Sequence, residues 1–371
     1  MYLVNLYILI VERYYKKRRK KSNISPNYLR KLNGGALHII QPFVIAEGDD
    51  DTHRSLFRLD IATYHSLLAV FEPVYNRARL ARFRRINDRG ASGYGRPHRR
   101  LCSANKALQI TLRKLAGGSS HIDTQLLNGV EGSVLSRTLH HSVTCLLQIL
   151  RHIPGGSMDM LTVARARKLA TMARNYIAVR YGYEIAGCII GAIDGKIGDR
   201  ERPGDDAWQQ TNYNGKSNAH AAKGLVIQLF DGTYGASVVN FIGLAHDSKI
   251  TTWLDLCDVM SHLPPEYVIA GDTAFGTSSR LIRPLSMVEY TREMTIEQIS
   301  LLSDCCKVLS SLRISSEWGI GALTNTFRIF QEKLPADDII YGGELWELCM
   351  RLYNLMVRNM RTGQVYNVFK D

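Results

Sequence analysis

Two short apolar runs, each leading into an aspartate, constrain the fold more than any other feature. Cys188–Ile193 is apolar throughout and runs into Asp194; Tyr267–Ala270 does the same before Gly271-Asp272. Runs this short, apolar on successive rather than alternate residues, are the pattern of strands covered on both faces. Such strands need layers on either side, so this region must build a mixed α/β structure. Two further strand-like runs, Ala221–Phe230 and Tyr234–Leu244, flank Asp231-Gly232, a dipeptide that favours a tight hairpin. Lys249–Leu263 has helical periodicity, with Trp253, Leu254, Cys257 and Met260 on one side. Thr295–Phe330 reads as mostly helical, and Glu344–Met360 as a final amphipathic helix.

If the strands before Asp194 and Asp272 are neighbours, both carboxylates emerge at one sheet edge, where active sites of open α/β sheets collect. Glu317, inside the later helical stretch, can reach the same place. Three oxygen ligands without His or Cys favour a hard cation, Mg²⁺ or Mn²⁺. Two such ions about 4 Å apart suit the cleavage of a phosphodiester. Aspartate at a strand end is also an ordinary turn former. Asp199, Glu201, Asp205, Asp206 and Asp247 compete for the role, the first four within a polar loop containing Gly and Pro.

The front of the chain differs in charge from the rest. Residues 1–116 hold 23 Lys/Arg against 8 Asp/Glu, whereas 117–371 hold 24 against 26. The net +13 therefore arises from a front of +15 and a body of −2. A basic front on a near-neutral body points to an anionic partner, with nucleic acid the leading candidate and a solubilising arm the alternative. Lys16–Lys21 is a run of six basic residues, a pattern of nuclear localisation signals and of phosphate-contacting patches. Nine arginines follow between Arg77 and Arg100, among glycines that favour loop structure. Arg84, Arg85, Arg99 and Arg100 are candidates for bidentate phosphate contact.

Helical patterns at Ser55–Phe71 and Lys106–Ala116 are followed by Gly117-Gly118. A short helix around Ile122–Leu127, capped by Ser119 or Ser120, a turn at Asn128-Gly129 and a helix capped by Ser133 through about Leu150 complete the series. That is the layout of a helix-turn-helix, in which Ser133, Ser136, Arg137 and His140 would face DNA; a plain three-helix packing unit has the same pattern. Met160–Tyr181 continues as helix. The seven cysteines are odd in number, widely spaced and without a CxxC pair, which fits a reducing, intracellular setting rather than a disulfide framework or a zinc module. Met1–Ile10 is apolar but too short to span a bilayer, and its charges follow rather than precede it.

From Gly191 to Phe330 the residues resemble the PIF/Harbinger-type transposases and the nucleases derived from them, within the DDE endonuclease superfamily. The matching pieces stand in order: Gly191-Ala192-Ile193-Asp194-Gly195; Arg202-Pro203, Tyr213-Asn214-Gly215-Lys216 and His220; Asp231-Gly232 and Gly243 with His246-Asp247-Ser248; Gly271 to Gly276; and Arg313 with Glu317-Trp318-Gly319 and Phe327. The resemblance implies an RNase H-like domain, a mixed sheet flanked by helices, preceded by an all-α helix-turn-helix-like region. It makes Asp194, Asp272 and Glu317 the catalytic and metal-binding triad, holding two Mg²⁺ or Mn²⁺ ions. It also implies cleavage and strand transfer of DNA ends and a separate Myb-like accessory protein. Two departures stand out. Lys196-Ile197 follows Asp194-Gly195 where the family has Thr-His, and Met287–Ile299 matches no motif.

The expected organisation is a basic, partly irregular region over 1–100, a helical DNA-binding region over 101–182 and the endonuclease domain over 183–371. Lys216, His220, Lys223 and Arg137 join the four arginines as candidate DNA contacts. Asp247 and Arg313 are candidates for supporting the acids. The expected protein is a nuclear, non-membrane, DNA-processing endonuclease, possible as a homo-oligomer. Its alternative is an inactive, transposase-derived DNA-binding protein on the same fold.

Overall fold

In the computed structural model, residues 49–77, 102–158, 162–182, 188–276, 278–284, 295–336 and 338–370 are described. The basic run Lys16–Lys21, the arginines Arg84, Arg85, Arg99 and Arg100, and most of Met287–Ile299 lie outside them.

Helices α1 (Asp50–Phe57) and α2 (Ile61–Arg77) occupy the segment expected as one helix. The break is at Arg58, whose left-handed backbone (φ 62°) ends α1, while the Asp60 carboxylate accepts from the Thr63 amide to start α2. Helices α3 (Ala104–Gly117) and α4 (His121–Asn128) are capped by the hydroxyls of Ser103 and Ser120 and end at Gly118 and Gly129, both with positive φ. Helix α5 (Gly132–Leu150) begins after Glu131, which makes no side-chain cap, so Ser133 lies inside the helix instead of capping it. Helix α6 (Val163–Tyr181) follows, with the Thr162 hydroxyl as its cap.

The remaining elements are β1 (Ile189–Asp199), α7 (Asp206–Asn212), β2 (Tyr213–Asn214), β3 (Ala219–Leu229), β4 (Tyr234–Ile242), α8 (Asp247–Leu254), α9 (Leu256–Val259), β5 (Val268–Ala270), β6 (Leu281–Ile282), α10 (Ile296–Thr326), α11 (Ile339–Met360) and α12 (Gln364–Phe369). The expected helix 249–263 divides at Asp255, whose unusual backbone (φ 28°) interrupts the helical hydrogen bonds. The strands form one mixed sheet in the order β2-β3-β1-β5-β6, with β4 also on β3. β1 pairs antiparallel with β3 and parallel with β5. This is the expected mixed α/β architecture with helices on the sheet, consistent with an RNase H-like domain.

A slot in the sheet receives α11. Added Cβ atoms at Gly198 and Gly224 would lie 2.6 Å and 2.5 Å from the Trp346 ring, so both positions must be bare for that indole to bury. One hydrophobic cluster joins Leu108, Leu135 and Leu146 of the front helices to Leu323, Phe327, Trp346 and Leu348. The expected regions 101–182 and 183–371 thus share a core. Ion pairs Lys114–Glu332 (2.7 Å) and Arg165–Asp231 (2.7 Å) also cross between them. Among the described residues no helix is long and apolar enough to cross a membrane.

Candidate active site

Strand pairing positions the first two acids. β5 runs alongside β1 only as far as Ala192↔Ala270. Asp194 and Asp272 each lie two residues beyond that pair, so the parallel register carries them to the same level. Asp194 does not end its strand, as the sequence implied. β1 continues to Asp199 because β3 pairs with it throughout, Val226 opposite Asp194. The β5 edge is what opens at this level.

Close packing sets the surroundings. A Cβ on Gly271 would meet Leu281 at 3.0 Å and Ile193 at 3.3 Å, and one on Gly195 would lie 3.1 Å from Asp247 Oδ2. Asp247 is in turn 3.9 Å from Lys223 Nζ, which donates to the Ala245 carbonyl at 2.7 Å.

The third acid comes from α10. Tyr234 donates its hydroxyl to the Gly319 carbonyl at 2.7 Å, and a Cβ on Gly319 would fall 2.0 Å from Gln228 Oε1. Helix and sheet therefore touch closely within one turn of Glu317. Arg313 pairs with Glu317 at 2.6 Å across that turn.

The electrostatics link all four groups. Burial pushes the Asp194 carboxyl up. The Gly195 amide, donating to Oδ1 at 2.7 Å, and the Arg313 charge oppose this, while the charges of Glu317 and Asp272 push it further up. The structure therefore brings Asp194, Asp272, Glu317 and Arg313 into one neighbourhood. Each outer acid is engaged locally: Asp272 accepts from the Thr273 amide at 2.6 Å, and Glu317 holds Arg313. Among the described residues no three acids, histidines or cysteines stand close enough to grip an ion as placed. The donor chemistry nevertheless fits a hard divalent cation: three carboxylates that repel one another, with Glu317 half-exposed and able to turn.

The other expected residues are distributed unevenly. Lys216 is exposed at the β2–β3 tip, and His220 meets the Tyr213 ring edge-on at 5.9 Å. Lys223 is largely buried against Ala245 and Asp247. Arg137 is exposed on α5 and donates to the Ser133 carbonyl at 3.0 Å. His140 stacks on Tyr341 of α11 at 3.8 Å, so it faces the body.

Lys196, noted in the sequence only as a departure, is a buried ammonium two residues past Asp194. It donates to Thr324 Oγ1 at 3.1 Å, lies 5.2 Å above the Phe330 ring, and is pushed down by burial. A lysine between Gly195 and Ile197, just past an apolar run, was the available signal.

A mixed sheet with acids at an opening between parallel strands, and a third acid on a helix packed against it, is an arrangement that metal-dependent phosphoryl transfer can use. Residues 193–354, which contain all three acids, match the family model of the DDE superfamily endonucleases. No curated protein and no solved structure matches the chain.

Proposed function

We propose that this protein is a metal-dependent DNA endonuclease of transposase type, with Asp194, Asp272 and Glu317 as its catalytic acids. The observation that carries the reading is the shared level of Asp194 and Asp272 beyond Ala192↔Ala270, with Glu317 in the same electric field, inside the family match. The acids would hold two ions, Mg²⁺ or Mn²⁺, which when bound supply Lewis acidity at the oxygens of the phosphodiester. The chain's own residues do the rest. Asp194 sits on the central strand of the sheet and sets the position of the site. Glu317 approaches from α10, and Arg313 holds its carboxylate beside the sheet until it turns inward. The exposed Lys216 and the basic front would grip DNA backbone. Further parts of the reading are strand transfer, descent from a Harbinger-type element, a Myb-like accessory partner, self-association and action in the nucleus.

The experiment is nicking of supercoiled DNA by the full chain with Mg²⁺ or Mn²⁺. The wild type should nick, and the Asp194→Ala variant should lose the activity. Equal nicking by both would sink the proposal. A second reading, an inactive DNA-binding protein on this fold, draws support from the engaged carboxylates of Glu317 and Asp272. Salt-dependent DNA binding without metal-dependent nicking would select it.

A further inference from the structure

An open cleft of about 460 Å³ lies between the end of α6 and the first half of α10, with Arg180, Tyr181, Ser303, Cys306, Lys307 and Ser310 along its walls. Its position relative to the acids follows from helix geometry. Ser303, Lys307, Ser310, Ile314 and Glu317 recur at alternating four- and three-residue steps, so they form one stripe along α10. At 1.5 Å per residue, Ser310, Lys307 and Ser303 lie about 10, 15 and 21 Å from Glu317 along the axis. The cleft is therefore the continuation of the candidate active site down one face of one helix.

The chemistry of the walls is that of a phosphate track. Helix α6 carries Arg165, Arg167, Lys168, Arg174 and Arg180 and no acid, although the chain from 117 onward is net negative; of these, Arg180 lines the cleft. Asp231 engages Arg165, and the other four cations are exposed. The guanidinium of Arg180 lies 5.8 Å and 6.0 Å from the Tyr176 and Tyr181 rings and also interacts with their hydroxyls, so two tyrosines hold it at the rim of the cleft. Lys307 pairs with Asp304 at 3.0 Å, but both side chains are about half exposed or more, so the pair is weak and readily exchanged for a phosphate. Hydroxyls at Ser303 and Ser310 add neutral donors between the cations. A reach of about 21 Å corresponds to roughly six nucleotides of a duplex strand at 3.4 Å each.

We infer that the α6–α10 cleft carries the backbone phosphates of the DNA strand that leaves the candidate active site, with Arg180 and Lys307 as its principal contacts. This rests on the DNA-endonuclease reading and adds a path for the substrate that the acids alone do not define.

The test uses the full chain in EDTA, where binding is measured without cleavage. Replacing both Arg180 and Lys307 by Ala should weaken duplex binding about tenfold at moderate salt. It should also reduce the slope of log affinity against log salt by about 2, one per lost phosphate contact. Cys306 supplies a positional readout. DNA carrying a disulfide-activated thiol tether at a backbone position two to six nucleotides from the scissile bond should cross-link to the wild type. It should not cross-link to Cys306→Ser, while the neighbouring Cys305→Ser should keep the cross-link. An unchanged salt slope with no cross-link at Cys306, in a protein that still binds DNA, overturns the cleft assignment alone. A wild type that binds no DNA overturns the cleft and the endonuclease reading together.

Discussion

Asp194 and Asp272 stand level with each other because Ala192 and Ala270 pair in parallel and neither acid does. The β1–β5 pairing stops two residues short of both acids, while Asp194 stays paired with Val226 of β3. Strand register thus aligns the two acids without a side-chain contact, and an ion bound between them would offset the repulsion between their charges.

Millimolar Mg²⁺ or Mn²⁺ should therefore stabilise the protein. An ion at a hundredfold excess over its Kd adds about 2.7 kcal/mol to the folded state. Thermal unfolding should shift upward for the wild type and stay in place for Asp194→Asn. An equal shift in both proteins would place the ions elsewhere.

Arg313→Ala should separate activity from stability. An exposed helical ion pair contributes only about 0.5 kcal/mol, so the melting temperature should barely move. A group that orients a metal ligand affects metal affinity or activity about 10- to 100-fold. Mn²⁺ titration and nicking rates check this, and a loss confined to stability would remove Arg313 from the site.

Gly195→Ala and Asp247→Ala should couple. The new methyl would sit 3.1 Å from Asp247 Oδ2, tight enough to push a partly exposed carboxylate aside. The single Gly195→Ala change should cost on the order of 1 kcal/mol, and Asp247→Ala should relieve most of it in the double variant. Additive unfolding energies would show that the contact carries no strain.

Gly224→Ala should destabilise by about 1–3 kcal/mol, because its Cβ would overlap the Trp346 ring and sit 3.0 Å from the Val238 carbonyl. Trp346→Phe should lessen the added cost of Gly224→Ala. Denaturant titration of the four proteins measures both effects.

Glu347 ties the front helices to the body through Arg151, and pairs with Arg351 one turn along its own helix. Burial alone would push its carboxyl up, but hydrogen bonds and charge from the two arginines outweigh this and hold it below the usual carboxylate range. A depressed folded-state pKa contributes stability that is present above the unfolded value of 4.5 and is lost as pH falls through the lower folded value. Glu347→Gln should then be about 1 kcal/mol less stable at neutral pH, a figure kept small by the half-exposed Arg151. The difference should shrink as the pH falls below about 4.5, and unfolding at several pH values checks it.

The candidate acids were readable because they follow short-range patterns. Apolar runs before Asp194 and Gly271-Asp272 marked buried strands, and Arg313 and Glu317 stood one helical turn apart. The two strands proved to be neighbours, although that requires bringing together residues some 80 positions apart. Other features had no local signature. Asp194 looked like a strand end because its apolar run stops there, yet pairing with β3 extends β1 five residues further. His140 looked available to DNA on a helix face, but Tyr341, two hundred residues later, covers it. Lys223 looked like a phosphate contact until Ala245 and Asp247 closed on it.

The sequence by itself determined the elements, since hydrophobic periodicity and capping act within a few residues. It also supplied the three acids, in an order matching one family. Only the tertiary structure decided their common level and the bare glycines that admit Trp346 and Asp247. Those depend on which surfaces meet, and contacts between distant segments are set by packing and strand register, which no local window of residues contains.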